Sequence, residues 1–348
     1  MNLSFENELD EVLDRARDVF ETLRRARVFI TGGTRFFGGW LLETLLRANE
    51  KIGLRAEAVI LSRDPAAFEK RAPHLARNPA IRILKGDIWG FSFPPGEFSH
   101  LIHGAASLNT QSGGDSSLET LKALVDGTRR TLDFARQAGI KPFLYISSGA
   151  IYGPQPPELS QMSEEFSGNV DNLDPRSTYA LGKRLGEHLC AVYHDWYGLD
   201  IKIARAFSFV GPHLPLDRHN AIGNFLRDGL DGGPIRITGD GTPRRSYLYG
   251  ADLAVWLWTI LTRGTPCRPY NVGSEEDVSI NELAASVAEF FGTKVEVAGR
   301  AVPKARVDRY VPSTQRAKKE LNLDVRISLK DAIRRTAQWY RAEAVGWP

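Results

Sequence analysis

The strongest pattern in this 348-residue chain is one segment, Arg27-Val28-Phe29-Ile30-Thr31-Gly32-Gly33-Thr34-Arg35-Phe36-Phe37-Gly38. Its first five residues form an apolar-rich run typical of a buried strand, and the residues after Phe36 have helical spacing. A glycine turn between a strand and a helix lets the backbone approach a pyrophosphate, because the helix N-terminus attracts negative charge. The segment therefore predicts a dinucleotide site, whose candidate contacts are Gly32, Thr34, Arg35, Phe36, Phe37 and Gly38.

Arg35 departs from the usual glycine pattern of such turns. It stands where G-x-x-G-x-x-G has its middle glycine. Its side chain either points away from the cofactor or lies along the phosphates, which a guanidinium binds through charge-assisted hydrogen bonds. The sequence leaves both arrangements open.

Short apolar runs and longer helical patterns alternate after residue 27. The runs lie at 27–31, 58–61, 81–84, 101–103, 143–147 and 201–206, and the main helical patterns lie at 37–48, 118–138 and 178–196. This alternation predicts an α/β fold of the Rossmann type, a doubly wound parallel sheet with helices on both faces. It also predicts that ligands bind at the carboxyl end of the sheet.

The chain changes character after about residue 211, where prolines and glycines break it into short pieces. Helical patterns return at 251–261, 280–291 and 328–340. We therefore expect a dinucleotide-binding Rossmann domain at 26–210 and a smaller, mainly substrate-binding C-terminal lobe at 211–348, with some segments returning to the Rossmann domain.

The N-terminal part, residues 1–25, is expected to form one amphipathic helix. Apolar residues recur at helical spacing over residues 5–23, and acidic residues keep the other face in water. The apolar face either docks on the chain's own domain or contacts a second subunit or partner.

Composition narrows the class of protein. The formal net charge is +3, so electrostatics alone does not predict a nucleic-acid partner. Cys190 and Cys267 cannot build a disulfide framework, and the scattered histidines lack ligand-like spacing, so we expect no metal site and a reducing, cytoplasmic compartment. No apolar run approaches the roughly 18 residues of a membrane span, and no signal-peptide pattern is present.

The end of the second predicted strand bears on the choice of cofactor. The strand ends in Ser62, Arg63 and Asp64. An arginine here suits the 2′-phosphate of NADP(H), whereas a carboxylate suits the ribose of NAD(H). Because Ser62 and Arg63 come first, NADP(H) is favoured, and Asp64 keeps NAD(H) possible. Asp87, at the next strand end, is a candidate partner of the adenine.

A candidate catalytic group lies on the helical pattern 178–196. Tyr179 and Lys183 are four residues apart and share a helix face, so the ammonium is expected to lower the phenol pKa, which is about 10 when unperturbed. Such a tyrosine can exchange a proton with a carbinol. Ser148, at the end of an upstream strand, could hold the same oxygen.

Taken together, these residues resemble the extended short-chain dehydrogenase/reductases of the NAD-dependent epimerase/dehydratase family, which act on nucleotide sugars. The resemblance covers roughly residues 27–340. It is carried by the glycine turn, Gly86-Asp87, His103-Gly104-Ala105-Ala106, Gly127-Thr128, residues 147–153, Tyr179/Lys183, Arg205, Gly211-Pro212, Gly239-Asp240-Gly241 with Arg245, and Asn271-Val272-Gly273-Ser274.

The resemblance implies a role for each matching residue. Tyr179 would be the acid/base, Lys183 its partner and a contact of the nicotinamide ribose, and Ser148 a second partner of the reacting oxygen. Further cofactor contacts would be Asp87, Ile88, Ala105, Ala106 and Phe207. The substrate, a nucleotide-diphosphate sugar, would contact Ser107, Ser148, Ser208 and Arg245. The helical patterns 118–138 and 178–196 would form a homodimer interface.

Two departures from the family pattern narrow the expected reaction. Gly149 and Ala150 stand where nucleotide-sugar dehydratases carry an acid and usually a glutamate, and where decarboxylases keep the glutamate. We therefore expect neither dehydration nor decarboxylation. Two enzymatic hypotheses remain, an NADPH-dependent 4-ketoreductase of an NDP-4-keto-6-deoxyhexose and a C4 epimerase with tightly bound NAD. A third hypothesis is a non-enzymatic, RNA-binding relative of the fold, against which the Ser148, Tyr179 and Lys183 set argues.

Overall fold

The computed structural model describes residues 3–105, 114–216, 220–300 and 307–346. The helices are α1 Leu3–Arg15, α2 Arg17–Glu21, α3 Phe36–Ile52, α4 Pro65–Arg71, α5 Pro73–Ala76, α6 Gly114–Gln137, α7 Thr178–Tyr197, α8 Ala221–Leu230, α9 Gly250–Arg263, α10 Ile280–Phe291, α11 Gln315–Leu321 and α12 Leu329–Gly346. The strands are β1 Arg27–Thr31, β2 Glu57–Ser62, β3 Ile81–Lys85, β4 His100–His103, β5 Pro142–Ser148, β6 Asp200–Ala206, β7 Phe209–Val210, β8 Ile235–Ile237, β9 Arg244–Ser246, β10 Leu248–Tyr249, β11 Pro269–Val272, β12 Asp277–Ser279, β13 Val295–Val297 and β14 Arg309–Tyr310. Short 3-10 helices span Gly149–Tyr152 and Pro175–Ser177.

The central sheet is parallel and has the order β11-β6-β5-β4-β1-β2-β3. Every strand predicted from the apolar runs lies within one of these strands, so the predicted doubly wound α/β fold is confirmed. Strands β2 and β3 lie on one side of β1, and the later strands, beginning with β4, lie on its other side. At such a change in strand order, a crevice opens at the carboxyl ends of the strands. Thr31 pairs with Leu61 on one side and His103 on the other, which brings three strand ends level.

Both faces of the sheet are buried, which explains why its strands read as nearly continuous apolar runs. One apolar cluster packs β1 and β2 against α1, α3 and α9, and a second packs the opposite face against α6 and α7. Helix α9 is buried almost throughout, including Trp256 and Trp258. None of the described helices is both long and apolar enough to cross a membrane.

The N-terminal segment differs from the single helix that was predicted. It forms α1 and α2, because the backbone at Ala16 leaves helical geometry with φ −125° and ψ 24°. Ala16 is itself buried, and the break lets both short helices lie against α9. The apolar face from Phe5 to Leu23 is buried in the main core, so of the two alternatives the helix docks on its own chain.

The segments after residue 207 build small sheets beside the central one. Strand β9 pairs with β12 and β14, β8 pairs with β13, and β7 pairs with β10. Strand β11 returns to the edge of the central sheet beside β6. This arrangement brings residues of β9, β14 and α8 near the carboxyl ends of the central strands, where the candidate site lies.

Candidate active site

A cleft of about 990 Å³ lies along the carboxyl ends of the central strands. Its walls come from the glycine turn, the ends of β2, β5 and β6, the start of α7, and the C-terminal segments. The predicted residues that line it are Gly32, Thr34, Arg35, Phe36, Phe37, Ser62, Arg63, Asp87, Ile88, Ala105, Ser148, Tyr179, Lys183, Phe207, Ser208 and Arg245. The structure thus brings both ends of the predicted site, cofactor and substrate, into one cavity.

One predicted residue, Gly38, does not line the cleft, and two others fall outside the described residues. Gly38 lies behind the turn, where a Cβ would come 2.2 Å from Gly33 Cα, so the glycine lets α3 pack directly on the turn. The missing side chain of Gly38 thus serves this packing, and the cofactor contact predicted for its backbone stays a prediction. Ala106 and Ser107 lie outside the described residues.

The glycine turn is shaped by close backbone contacts. Gly32 has φ +77°, and a Cβ there would come 2.6 Å from the carbonyl carbon of Gly104. Glycine is therefore required for this turn to pass the end of β4. Arg35 immediately precedes α3 with an extended backbone and lines the cleft. The Arg71 side chain donates to the Thr34 carbonyl oxygen and supports the turn from α4.

Buried polar groups join the ends of β1 and β4 below the turn. His103 Nδ1 lies 2.6 Å from Thr31 Oγ1, and Ala105 N donates to the same hydroxyl at 3.2 Å. Burial, with a smaller effect from the nearby Lys183 charge, lowers the pKa of His103 to about 3. A neutral imidazole therefore holds the floor of the cofactor end in place.

The end of β2 presents Ser62 and Arg63 to the cleft, but not Asp64. Asp64 is the N-cap of α4, and its Oδ1 accepts a hydrogen bond from Ala67 N at 3.0 Å. The carboxylate that would bind an NAD ribose is thus engaged in capping a helix. Arg63, the basic residue of the predicted Ser62 and Arg63 pair, lines the cleft.

The candidate catalytic hydroxyls meet at the end of β5. Ser148 ends this strand, and its Oγ accepts a hydrogen bond from Ala150 N at 3.1 Å. Tyr179, in the first turn of α7, has Ser148 as its hydrogen-bond partner. Burial raises the pKa of Tyr179, and this hydrogen bond lowers it in part.

Lys183 does not produce the lowering of the Tyr179 pKa that the helical spacing predicts. Its Nζ donates to the Ile146 carbonyl oxygen at 2.6 Å and lies 5.0 Å from the centre of the Tyr145 ring. Burial lowers the pKa of Lys183 itself to about 8. The two side chains share the cleft, but the ammonium is held by the backbone of β5 instead of the phenol.

Arg245 reaches the cleft from β9. It also forms an ion pair with Asp308, with Nη2 2.6 Å from Oδ2. A guanidinium has five N–H donors, and the ion pair uses only some of them. Arg245 can therefore keep this ion pair and also form the predicted phosphate contact.

The sequence interpretation missed several residues that line the cleft or contact residues lining it. Glu187, one helical turn beyond Lys183, forms two hydrogen bonds with Arg205 at 3.0 and 2.7 Å and accepts one from Ser147. Helical spacing could have found this glutamate. Tyr247 and Tyr310 come from distant C-terminal segments, and no local pattern singles them out.

Within the parts of the chain that the structure describes, no group of three or more His, Cys, Asp or Glu side chains is arranged to hold a metal ion. The chemistry of this cleft rests on hydroxyls, a lysine and an arginine at one end and a dinucleotide-type turn at the other.

Several known proteins resemble this chain in sequence or in fold. UDP-glucuronic acid decarboxylase 1 of Arabidopsis thaliana is 28% identical over 318 residues, which cover 91% of this chain and 70% of that protein. An epimerase of Methanothermobacter thermautotrophicus superposes with a TM-score of 0.79 at 24% identity, covering 96% of this chain and 97% of the other. The dTDP-glucose 4,6-dehydratase DesIV of Streptomyces venezuelae, solved with NAD bound, has a TM-score of 0.73 at 25% identity, covering 92% and 98%.

These relatives correct one expectation. The absence of an acid and a glutamate at Gly149 and Ala150 predicts that the protein is neither a decarboxylase nor a dehydratase, yet proteins with those names are among the relatives just described. That argument is wrong, because two residues cannot outweigh similarity over most of the chain. The profile of the NAD dependent epimerase/dehydratase family matches residues 28–273, and the chain belongs to that family.

Proposed function

We propose that this protein oxidises a hydroxyl of a nucleotide-linked sugar by passing a hydride to a nicotinamide dinucleotide. The observation that carries the proposal is the meeting of Tyr179 and Ser148 in the same cleft as the glycine turn. A dinucleotide supplies the hydride acceptor when it is bound. The family and the named relatives support this class of substrate and cofactor.

Four side chains would each have a separate role in this reaction. Tyr179 removes the proton of the sugar hydroxyl, and Ser148 stabilises the Tyr179 oxygen by a hydrogen bond. Lys183, whose pKa of about 8 leaves it mostly protonated at neutral pH, keeps a positive charge beside them. Arg245 binds the diphosphate of the substrate through the donors that neither Asp308 nor the Arg244 carbonyl oxygen occupies.

The first reaction we propose is decarboxylation of UDP-glucuronic acid. Oxidation next to the carbon that bears the carboxylate makes a β-keto acid, which loses CO₂ with the ketone as the electron acceptor. The loss of CO₂ needs a proton donor but no carboxylate base, and return of the hydride to the ketone then gives the UDP-pentose. The missing glutamate at Gly149-Ala150 is therefore compatible with this reaction, as the named relatives suggest.

Epimerisation at C4 is the second candidate, and the lining of the cleft favours it. Asp87 is the carboxylate among the described lining residues, and it lies at the end of β3, away from Tyr179. A ketone that is reduced again from its other face needs Tyr179 but no second acid or base. The 4-ketoreductase predicted from sequence has no counterpart among the relatives described above.

For the cofactor we propose NADP(H) over NAD(H). Ser62 and Arg63 line the cleft at the end of β2, and Asp64 is used as a helix cap. A guanidinium at this position pairs with a ribose phosphate, and the nearby Arg35 adds a second positive charge.

One assay separates the candidates. The protein is incubated with UDP-glucuronic acid and either NAD⁺ or NADP⁺, and the products are identified by mass spectrometry and proton NMR. Loss of the mass of CO₂ with formation of a UDP-pentose supports decarboxylation, and a product of unchanged mass with an inverted C4 supports epimerisation. Tyr179→Phe is expected to slow either reaction by about 10² to 10⁴-fold.

The matched control is Tyr193→Phe, which removes a hydroxyl that hydrogen-bonds Asp133 away from the cleft. This variant should keep the wild-type rate. If UDP-glucuronic acid, UDP-glucose and dTDP-glucose all stay unchanged while the dinucleotide binds, the proposed function is wrong. Survival of the biological activity in Tyr179→Phe would favour the non-enzymatic hypothesis.

A further inference from the structure

The space beside Gly149 is filled by a side chain from a distant part of the chain. A Cβ at this position would come 2.7 Å from the hydroxyl oxygen of Tyr310 and 2.7 Å from the ring of Phe207. The two rings pack with centroids 4.7 Å apart. Tyr310 thus comes close to the backbone beside Ser148 where Gly149 leaves room, and residue 149 could not carry a side chain unless Tyr310 and Phe207 moved.

Tyr310 is held firmly in this position. It ends strand β14, in register with Arg245 of β9. The next residue, Val311, is buried, donates to Gln155 Oε1 at 3.0 Å and accepts from Met162 N at 2.8 Å. The backbone on both sides of Tyr310 is therefore held in place, so the fold fixes the position of the Tyr310 hydroxyl.

The hydroxyl of Ser148 has three neighbours with which it can form hydrogen bonds. Ala150 N donates to it at 3.1 Å, and Tyr179 and Tyr310 are both its side-chain partners. A serine hydroxyl offers one proton and two lone pairs. If Ala150 N and Tyr310 donate to the two lone pairs, the single proton of Ser148 points at Tyr179.

We propose that Tyr310 is a positioning residue of this site, whose hydroxyl donates to Ser148 and thereby directs the Ser148 proton to the oxygen of Tyr179. The inference deepens the proposed function, on which it rests for its catalytic meaning. Lys183 donates to the Ile146 carbonyl oxygen, and Ser148 is the neighbour whose hydrogen bond lowers the pKa of Tyr179, so the serine stabilises a Tyr179 phenolate in this arrangement.

The electrostatic surroundings are consistent with Tyr310 as the donor. Burial raises the pKa of Tyr310, and the neighbouring Tyr179 and Tyr152 act in the same direction, whereas Ser148 and the Arg245 charge lower it. The raised pKa keeps the Tyr310 proton in place at neutral pH. Tyr310 can then donate to Ser148 throughout a cycle in which Tyr179 gains and loses its own proton.

The test reads the ionisation of Tyr179 directly and needs no substrate. All tyrosines are replaced biosynthetically by difluorotyrosine, whose phenol ionises nearer neutral pH, and fluorine NMR follows the titration of the full chain. The Tyr179 signal is identified by its absence in Tyr179→Phe. In Tyr310→Phe its midpoint is expected to move to higher pH by about 0.5 to 1 unit, the effect of one hydrogen bond.

A double-mutant cycle separates positioning from a general structural effect. In a Ser148→Ala background, the further change Tyr310→Phe should leave the Tyr179 midpoint where it is, because the path through the serine is gone. Tyr193→Phe is the matched control and should not shift the midpoint. If Tyr310→Phe does not fold, Gly149→Ala serves instead, since its methyl group displaces the Tyr310 hydroxyl and should give the same upward shift.

The proposal is overturned if the Tyr179 midpoint in Tyr310→Phe stays at its wild-type value or falls, or if the shift persists in full without Ser148. Because the titration uses the free protein, these outcomes do not depend on which sugar is converted. A protein that shows the shift but converts no nucleotide sugar would refute the proposed function and leave the positioning role of Tyr310 standing.

Discussion

At the scale of single residues, the cofactor end shows how one hydrogen bond changes the meaning of a motif. Ser62, Arg63 and Asp64 stand side by side at the end of β2, and by composition alone they suit both forms of the dinucleotide. The bond from Ala67 N to Asp64 commits the carboxylate to the start of α4. Arg63 is left as the charged residue of the three at the cleft.

We therefore expect Arg63→Ala to weaken binding of NADPH by about 10 to 100-fold, because a charge-assisted hydrogen bond contributes roughly 1.5–3 kcal/mol. Binding of NADH should change little. Both dissociation constants can be measured from the fluorescence of the reduced nicotinamide. Arg82→Ala, which removes an exposed arginine of β3, is the control. Equal weakening of both dinucleotides would contradict the 2′-phosphate contact.

At the scale of elements, α1 is attached to the body of the molecule by buried polar groups as well as by its apolar face. Tyr249 donates a hydrogen bond to Glu8, which is 5% exposed. Asp10 accepts two hydrogen bonds from Arg47 of α3, at 2.7 and 2.8 Å. Burial raises the pKa of Glu8 to about 7, although the bond from Tyr249 opposes the shift.

This shift predicts how stability depends on pH. A carboxyl whose pKa is higher in the folded than in the unfolded chain contributes stability fully below about pH 4.5 and loses it as the pH rises through about 7. Between pH 5 and 8 the loss amounts to roughly 2–3 kcal/mol at most. Glu8→Gln should remove this part of the pH dependence of the melting temperature.

The control for the Glu8 prediction is Asp14→Asn, a change at an exposed acid of the same helix. It should keep the wild-type slope of melting temperature against pH. Glu8→Gln with the same slope as the wild type would show that the Glu8 carboxyl is already ionised in the folded protein.

At the scale of the whole molecule, α6 and α7 pack side by side and expose apolar side chains at their outer face. Leu118 and Leu121 of α6 and Leu185 and Trp196 of α7 are exposed, although the inner faces of the same helices are buried in the second apolar cluster. Exposed apolar residues gathered on neighbouring helices mark an interaction surface. The family resemblance implies a second copy of this chain as the partner.

We accordingly expect a dimer in light scattering coupled to size-exclusion chromatography. Leu185→Lys should give a monomer, because the ammonium cannot be buried in an apolar interface without a partner. Leu173→Lys is the matched control, since Leu173 is 92% exposed and lies outside both helices. A wild-type chain that stays monomeric at every concentration tested would contradict this arrangement.

Local patterns were enough to place most of the framework. Buried parallel strands appear as apolar runs and amphipathic helices as a repeat of three to four residues, so each predicted strand and the helices α3, α7 and α10 lie where the patterns put them. The glycine turn is equally local, because its backbone shape depends on Gly32 and the helix that follows. The Asp64-Pro65 pair is a helix-start signature that could have resolved the role of Asp64 in advance.

The contacts that give the site its chemistry depended on the packed chain. The break at Ala16, the bond from Lys183 to Ile146 and the entry of Tyr310 beside Gly149 all join segments that no local pattern relates. Residues far apart in sequence meet because the C-terminal strands fold over the end of the central sheet. The amino-acid sequence thus specified the sheet, the turn and the identity of the reactive groups through short-range periodicity, whereas the partner of each reactive group followed from packing, which is a long-range property.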